Sequence, residues 1–291
     1  MINFNKNMIK LKTMKRGVFM RQKRIALIND VTGYSRCSIA AQLPIISAMA
    51  IECVFVPTAI LSINTYHPGY FFDDYTDRMN DYIATYKNIN LEFDGIVTGF
   101  LGSAKQIDIV IDFIKNFKLK NTFVLIDPVM GDHGKLYPTY TLEMQEKMRE
   151  LIPYASIMTP NLTELCALLN LDYPHEIPSF EELFKMCELL AKKGPEKIVV
   201  TGICINEEII NFLYEKGKDY RIIKVKKIGE DRSGTGDVIS GVIAGKYLLN
   251  HDFYQSVKDA ADFASKCISY SQKIGAHNHL GLCFEPFLKE L

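Results

Sequence analysis

The chain has 291 residues, of which 48% are hydrophobic and 23% are charged, and its formal net charge is zero. This length and composition suit one large α/β domain with a sizeable core. The balanced charge gives no global field toward nucleic acid or an anionic membrane, and no apolar run approaches the roughly 20 residues that span a bilayer, so we expect neither partner.

The first segment of the chain is basic. Residues 1–24 contain eight Lys and Arg residues and no Asp or Glu. The segment has neither the apolar stretch nor the small-residue cleavage site of a secretory signal. We expect residues 1–22 to be a mobile basic extension and residues 23–291 to form one domain. A transit peptide and a start at Met20 are the alternatives.

From Arg24 onward, short β-branched runs alternate with helical patterns. Strands are predicted at Ile25–Asn29, Cys53–Pro57, Gly95–Gly99, Thr122–Asp127, Ser156–Thr159 and Lys197–Thr201. Helices are predicted at Ser38–Ala50, Asp73–Tyr86, Ala104–Lys115, Thr141–Leu151, Leu162–Leu169 and Phe180–Lys192. This alternation predicts right-handed βαβ units and a mostly parallel sheet that is covered on both faces.

The pattern changes toward the C-terminus. Glu208–Tyr214 and Tyr220–Val225 are separated by a short polar segment and predict a β-hairpin. Two amphipathic helices follow, at Thr235–Leu249 and Phe253–Ser271. The fold class expected from the whole chain is a three-layer α/β/α sandwich with a C-terminal-side hairpin and helices.

The cysteines indicate the compartment. There are seven, an odd number, and no two of them form a C-x-x-C pair. Several lie within apolar patterns, as Cys166 does between Leu165 and Ala167. This usage favours free, buried thiols in a reducing compartment, and we expect a cytoplasmic protein.

The strongest local motif is Ser233-Gly234-Thr235-Gly236-Asp237, at the start of a predicted helix. Glycines allow a ligand to approach the backbone closely, and the first N–H groups of a helix are unpaired. Together with the helix dipole, these groups suit a phosphoryl group, while Asp237 could take the proton from an attacking hydroxyl. The alternative, about equally favoured, is a helix start whose glycines only allow close packing.

Three further motifs follow predicted strands, where ligands of open parallel sheets bind. Asp127, before Pro128, could position magnesium and phosphates, although a simple turn is the alternative. Asn161 and Glu164 could supply an outer-shell magnesium site or merely a capping box. Thr201, before a glycine, could donate a hydrogen bond to a phosphate oxygen. All four motifs suit magnesium–nucleotide chemistry, which makes coincidence an unlikely explanation.

Two common nucleotide motifs are excluded. Gly131-Asp132-His133-Gly134-Lys135 has two residues between its glycines instead of four, and no Ser or Thr follows the lysine, so it is not a P-loop. The first strand-to-helix turn lacks G-x-G-x-x-G, which argues against a dinucleotide dehydrogenase.

These motifs in this order resemble the ribokinase superfamily, and specifically its pyridoxal (pyridoxamine) kinase branch. The resemblance covers the chain from about Arg24 to the C-terminal helices. The motifs that carry it are Asn29–Gly33, Asp127–Gly131, Thr159–Glu164 and Gly234–Asp237.

The resemblance implies transfer of the ATP γ-phosphoryl group to the 5′-hydroxymethyl of pyridoxal, pyridoxamine or pyridoxine. Asp237 would be the base, and Gly234, Thr235 and Gly236 would form the anion hole. The Mg²⁺–ATP site would be lined by Asp127, Thr159, Asn161, Glu164 and Thr201, with Asp127 and Glu164 nearest the metal. Asn29 and Thr58 would hold the vitamer ring, and Thr65 and Tyr66 would belong to a covering flap. A homodimer, with or without a bound monovalent cation, is also implied.

Departures from the branch pattern leave alternatives open. Asn29-Asp30 stands where the branch often has Ser-His, and a lysine common at the position of Thr201 is absent. A hydroxymethylpyrimidine kinase is the nearest rival, but many of those carry a Cys in the anion-hole loop, and Gly234–Asp237 has none. A non-catalytic nucleotide-binding regulator is disfavoured because Asp237 and the Gly-Thr-Gly sequence are both intact.

Overall fold

The structure is a computed structural model that describes residues 21–137 and 139–291. Residues 1–20, most of the expected basic extension, lie outside the described residues. Arg21 and Gln22 contact the domain: the Arg21 guanidinium lies 2.6 Å from the Asp94 carboxylate, and the Gln22 amide donates to the Ala50 carbonyl at 2.8 Å.

A nine-stranded sheet forms the centre of the molecule, in the order β11-β10-β9-β8-β5-β4-β1-β2-β3. The six strands from β9 to β2 are parallel, and β3, β10 and β11 are antiparallel to their neighbours. Two short strands, β6 and β7, form a separate hairpin. The bounds are β1 (Arg24–Tyr34), β2 (Glu52–Ile63), β3 (Phe72–Asp74), β4 (Gly95–Thr98), β5 (Phe123–Ile126), β6 (Gly131–Asp132), β7 (Lys135–Leu136), β8 (Ile157–Met158), β9 (Lys197–Ile205), β10 (Glu208–Glu215) and β11 (Arg221–Lys226).

Helices cover both faces of the sheet. Helices α2 to α6 pack on one face and α1, α7 and α8 on the other, and each face has its own apolar core. The bounds are α1 (Ser38–Ala48), α2 (Thr76–Asn88), α3 (Ala104–Phe117), α4 (Leu142–Met148), α5 (Leu162–Leu169), α6 (Phe180–Ala191), α7 (Thr235–Leu248) and α8 (Phe253–Lys273). The predicted three-layer α/β/α sandwich with a C-terminal-side hairpin is confirmed.

Strands β1 and β2 are longer than their apolar runs predicted. Their pairing shifts between Asn29↔Pro57 and Val31↔Ile60, so that Thr58 and Ala59 lie opposite Asp30. Beyond this irregularity the two strands continue past the edge of the parallel sheet, and β3 pairs with β2 there. A β-bulge of this kind turns side chains at the end of a strand, where binding sites are common.

Among the other boundaries that differ from the predictions, two have a clear physical cause. The helix expected from Asp73 begins at Thr76, because Asp73 and Asp74 pair with β2 and the Asp74 carboxylate accepts the Thr76 N–H at 2.8 Å. Strand β9 does not end at Thr201. Gly202 has a φ of 74°, and this left-handed residue forms a bulge that lets the strand continue to Ile205.

Within the described part of the chain, none of the helices combines the length and apolarity that a membrane span requires.

Candidate active site

The polar residues singled out in the sequence meet at one edge of the sheet. Asn29 directly follows the part of β1 that pairs with β4, Asp127 directly follows β5, and Thr159 directly follows β8. Helix α7 begins beside them, so Asp237 reaches the same edge. The chain reverses its direction across the sheet at β1, between β2 and β4, and such a switch point opens a crevice for ligands.

Asn29 holds Asp237 in place. Its Nδ2 donates to Asp237 Oδ1 at 3.1 Å and to Gln42 Oε1 at 3.2 Å. Its Oδ1 accepts the N–H groups of Asp30 at 3.0 Å and Phe100 at 2.8 Å. The side chain is therefore fixed from both ends, and its orientation in turn fixes the Asp237 carboxylate.

Gln42 completes this network, although the sequence analysis did not single it out. Its side chain is fully buried on α1, and its Nε2 donates to Ser240 Oγ on α7 at 3.1 Å. We call Asn29, Gln42, Asp237 and Ser240 the base cluster. The available signal was a glutamine within the apolar helix Ser38–Ala48, because a polar side chain on a buried face needs a partner.

Burial is the main influence on the Asp237 carboxylate and raises its pKa to about 6. The nearby Asp30 charge raises it further, whereas the N–H of Ser38 and the amide of Asn29 lower it. A carboxyl group with a pKa of about 6 is mostly ionised at neutral pH, and its basicity exceeds that of an ordinary aspartate. Both properties suit a general base.

The start of α7 leaves backbone donors free. Gly234 has a φ of 73°, and a Cβ there would lie 2.0 Å from the Arg36 carbonyl oxygen, so only glycine fits. The N–H groups of Thr235, Gly236 and Asp237 have no acceptor within residues 21–137 and 139–291. Gly236 is exposed, which leaves the donors open to a ligand. This geometry suits an anion.

On the other side of the site, Asp127 and Glu164 form what we call the acid pair. Both carboxyl groups are buried, and burial raises the pKa of each. The pKa of Asp127 reaches about 7, with a contribution from the Asp237 charge, and the Asp127 charge in turn raises the pKa of Glu164. Among the described residues, neither carboxylate pairs with a Lys, Arg or His.

The acid pair fits a hard divalent cation. Thr159 Oγ1 is buried, and it has no hydrogen-bond partner among the residues that the structure describes. Its hydroxyl lies beside Asp127 and lowers the pKa of that group. No cluster of three His, Cys, Asp or Glu side chains suited to a metal occurs in the described ranges. Magnesium commonly binds through one or two carboxylates together with phosphate and water, and the donors here match that pattern.

Asn161 and Glu164 form the capping box that was the alternative reading of their spacing. Asn161 Oδ1 accepts the Glu164 N–H at 2.9 Å, and Glu164 Oε2 accepts the Asn161 N–H at 2.9 Å. Both side chains also hold the segment of the β6–β7 hairpin. Glu164 Oε1 accepts the Met130 N–H at 3.1 Å, and Asn161 Nδ2 donates to the Gly131 carbonyl at 2.8 Å.

The β6–β7 hairpin reaches from α5 to the loop before α7. The Gly134 N–H donates to Thr163 Oγ1 at 2.9 Å, and His133 Nε2 lies 3.0 Å from Asp231 Oδ2. The near-P-loop sequence therefore forms a bridge between the two helix starts that surround the site.

Thr201 and Thr58 are both held by hydrogen bonds within the protein. Thr201 lies in the β9 bulge, where its N–H donates to the Pro160 carbonyl at 2.9 Å, beside the start of α5. Thr58 is fully buried, and its Oγ1 donates to the Phe100 carbonyl at 2.8 Å. The expected ligand contacts of both residues stay predictions. In the flap, Tyr66 stacks on His279 with ring centroids 4.6 Å apart.

Comparison with known proteins agrees with this arrangement. The profile of the phosphomethylpyrimidine kinase family matches residues 37–281. The chain belongs to this family. A pyridoxal kinase from Arabidopsis thaliana is 33% identical over 174 residues, which cover 56% of this chain and 54% of the plant protein. The chain thus aligns with about half the length of that relative.

Solved structures confirm the ribokinase-like fold. A Bacteroides thetaiotaomicron protein described as a candidate phosphomethylpyrimidine kinase is 35% identical, with a TM-score of 0.91 over 94% of this chain and 96% of that one. A second crystal form of that protein, with pyridoxal, is 34% identical, with a TM-score of 0.86 over 93% and 96% of the two chains. Pyridoxal kinase from Lactobacillus plantarum shares the fold at 21% identity, with a TM-score of 0.85 over 92% and 96%.

Proposed function

We propose that this family member transfers the ATP γ-phosphoryl group to the 5′-hydroxymethyl group of a B6 vitamer and so supports pyridoxal phosphate salvage. The observation that carries the proposal is the position of Asp237. Its carboxylate is held by Asn29 at 3.1 Å, beside the free N–H groups of Thr235 and Gly236 and at the same sheet edge as the acid pair. A base, an anion site and a cation site are thereby combined in one crevice.

Each group has a distinct part in this reaction. Asp237 accepts the proton of the attacking hydroxymethyl oxygen. The N–H groups at the start of α7 stabilise the negative charge of the phosphoryl oxygens. Asn29, with the nearby Thr58, positions the acceptor ring. Because phosphoryl transfer needs little covalent help, this positioning and charge neutralisation supply most of the acceleration.

Asp127 and Glu164 would hold Mg²⁺, and Thr159 and Thr201 would contact the nucleotide. When bound, the ion neutralises the charge of the phosphates. The raised pKa values of the acid pair support this assignment, as does the Thr159 hydroxyl, which has no hydrogen-bond partner in the described part of the chain.

A hydroxymethylpyrimidine kinase is the second candidate, because the family profile that matches the chain carries that name. The two acceptors have the same reacting group, so the base and the anion site would serve either. The absence of Cys from Gly234–Asp237 favours the B6 vitamer. The pyridoxal present in the second Bacteroides crystal form supports the same choice.

The compartment, the oligomeric state and a monovalent cation are also part of the proposal. All seven cysteines are free, which supports the reducing environment of the cytoplasm. The resemblance to the pyridoxal kinase branch supports a homodimer, with or without a bound monovalent cation.

The test is ATP turnover with Mg²⁺ on pyridoxal, pyridoxamine, pyridoxine, hydroxymethylpyrimidine and ribose, with the wild type and Asp237→Asn. We expect turnover of B6 vitamers that is lost in the variant. Turnover of the pyrimidine alone would keep the mechanism and replace the substrate. If no acceptor reacts while ATP still binds, the protein is the nucleotide-binding regulator and the proposal is wrong.

A further inference from the structure

Asp30 is a buried carboxylate for which the proposed mechanism has no use. It directly follows Asn29, at the irregular pairing of β1 and β2, and only 5% of its surface is exposed. Thr32 Oγ1 donates to its Oδ2 at 2.6 Å, and the Ser38 hydroxyl also lies beside it. Burial raises the pKa of Asp30, and these two hydroxyl groups only partly oppose that effect.

No cation of the described chain compensates Asp30. Arg36, the nearest basic residue that follows it in sequence, pairs with Glu285 at 2.6 Å. Among residues 21–137 and 139–291, no Lys, Arg or His forms an ion pair with Asp30. Buried charges in proteins are normally paired, so this position lacks a partner that a ligand can supply.

Asp30 lies next to the group that would act as the base. Asn29 contacts both residues, since its Oδ1 accepts the Asp30 N–H while its Nδ2 donates to Asp237. Ser38 also lies between them, with its hydroxyl beside Asp30 and its N–H beside Asp237. The two carboxyl groups therefore lie close enough for the charge of Asp30 to raise the pKa of Asp237.

We infer that Asp30 selects an acceptor that carries an amine next to the reacting hydroxymethyl group, and that pyridoxamine is therefore the preferred vitamer. The inference rests on the proposed function. In the B6 vitamers, the ring carbon beside the 5-hydroxymethyl group bears an aminomethyl group in pyridoxamine, a hydroxymethyl group in pyridoxine and a formyl group in pyridoxal. The remainder of the ring is the same in all three.

The ranking follows from what each substituent offers a carboxylate. A protonated aminomethyl group supplies both a positive charge and hydrogen-bond donors, and charge-assisted hydrogen bonds of this type are the strong ones. A hydroxymethyl group supplies one neutral donor. A formyl group has only an acceptor oxygen, which cannot form a hydrogen bond with an ionised carboxylate and is repelled by it. The expected order of catalytic efficiency is pyridoxamine, then pyridoxine, then pyridoxal.

The experiment measures kcat/KM for the three vitamers with the wild type, Asp30→Asn and the control Asp81→Asn. Asp81 is an exposed aspartate of α2 and is not part of the site. We expect the wild-type ratio of pyridoxamine to pyridoxal to fall about 10- to 100-fold in Asp30→Asn and to stay unchanged in Asp81→Asn. The ratio cancels any general effect of Asp30 on the Asp237 base.

A second measurement does not depend on the variant. Calorimetry with the wild type and a non-hydrolysable ATP analogue compares pyridoxamine with 4-deoxypyridoxine, which has a methyl group in place of the aminomethyl group. We expect pyridoxamine to bind about 10-fold more tightly or better.

Three results would overturn the inference while leaving the proposed function intact. These are a wild type without preference for pyridoxamine, equal binding of the 4-deoxy analogue, and an Asp30→Asn variant that loses only a dependence on K⁺. The last result would assign Asp30 to a monovalent cation. Absence of turnover with every vitamer would instead contradict the proposed function itself.

Discussion

The base cluster and the acid pair both place carboxylates at the same sheet edge, but they differ in how those carboxylates are compensated. Asp237 receives hydrogen bonds from the protein, and its pKa rises only to about 6. Glu164 accepts the N–H groups of Met130 and Asn161, whereas the Asp127 carboxylate lies beside the hydroxyl groups of Ser240 and Thr159 and its pKa reaches about 7. The comparison indicates that the base is preorganised by the protein, whereas Asp127, the less compensated member of the acid pair, is completed by a ligand.

The largest effect that would test this contrast is the loss of the base. Asp237→Asn keeps the shape of the side chain but cannot accept a proton, so we expect turnover to fall by ~10²–10⁴. Binding of Mg²⁺–ADP should remain nearly unchanged, because the acid pair and the start of α7 are intact. Steady-state turnover and calorimetric nucleotide titration measure the two effects, with Asp81→Asn as the control. Near-normal turnover would remove Asp237 from its role.

The stability of the metal-free protein tests the acid pair. The pKa of Asp127 is raised from 3.8 to about 7, so the folded state retains a proton that the unfolded state loses. The folded protein therefore loses stability as pH rises from about 4 to about 7, and the loss stays constant at higher pH. For Asp127 alone this loss is at most about 4 kcal/mol.

We therefore expect Asp127→Asn to be more stable than the wild type at pH 8 without metal, with a smaller difference at pH 5. Chemical denaturation in EDTA at the two pH values measures this change. Mg²⁺ with a nucleotide should stabilise the wild type more than the variant. A variant that is destabilised equally at both pH values would show that the Asp127 carboxylate is already compensated within the protein.

The contrast between the two regions also explains what the sequence could predict. The parallel strands were accessible because buried β-branched runs alternate with helices, and the residues that follow those runs had to share one edge. Asp127, Thr159, Asn161 and Asp237 lie where that argument placed them. The β6–β7 hairpin and β3 were missed because strands of two or three residues have no detectable periodicity.

Long-range partners were less accessible. Gln42 is 198 residues from Ser240 in sequence, and Asn29 is 208 residues from Asp237, so no local pattern connects them. Asp30 was visible only as a departure from the branch pattern. Its burial without a cation depends on where β1, α1 and α7 meet, and that is a property of the fold.

A several-fold effect is expected in the pH profile. With pyridoxine, whose substituent carries no amine, turnover should rise with pH through about 6 as Asp237 ionises, and then level off. Asp30→Asn removes a nearby negative charge that raises the pKa of Asp237, so the midpoint should move to lower pH. The profile of kcat/KM from pH 5 to 8 measures both midpoints, because kcat/KM reports the pKa values of the free enzyme. An unchanged midpoint in the variant would separate Asp30 from the base.

The smallest expected effect distinguishes the two roles of Glu164. Glu164 closes the capping box of α5, and Glu182 closes an equivalent box on α6, where it accepts the Ser179 N–H at 2.8 Å. Glutamine can also close a capping box, so replacement of either glutamate removes only its charge at the helix start, and we expect each to cost about 0.3–1 kcal/mol of stability.

Only Glu164→Gln also removes a carboxylate from the acid pair, so only this variant should need a several-fold higher Mg²⁺ concentration for half-maximal turnover. Magnesium titrations of both variants and the wild type measure the difference. Equal titrations of the two variants would mean that Glu164 serves its helix alone. The cation would then depend on Asp127 and the nucleotide, and the acid pair would have no common function.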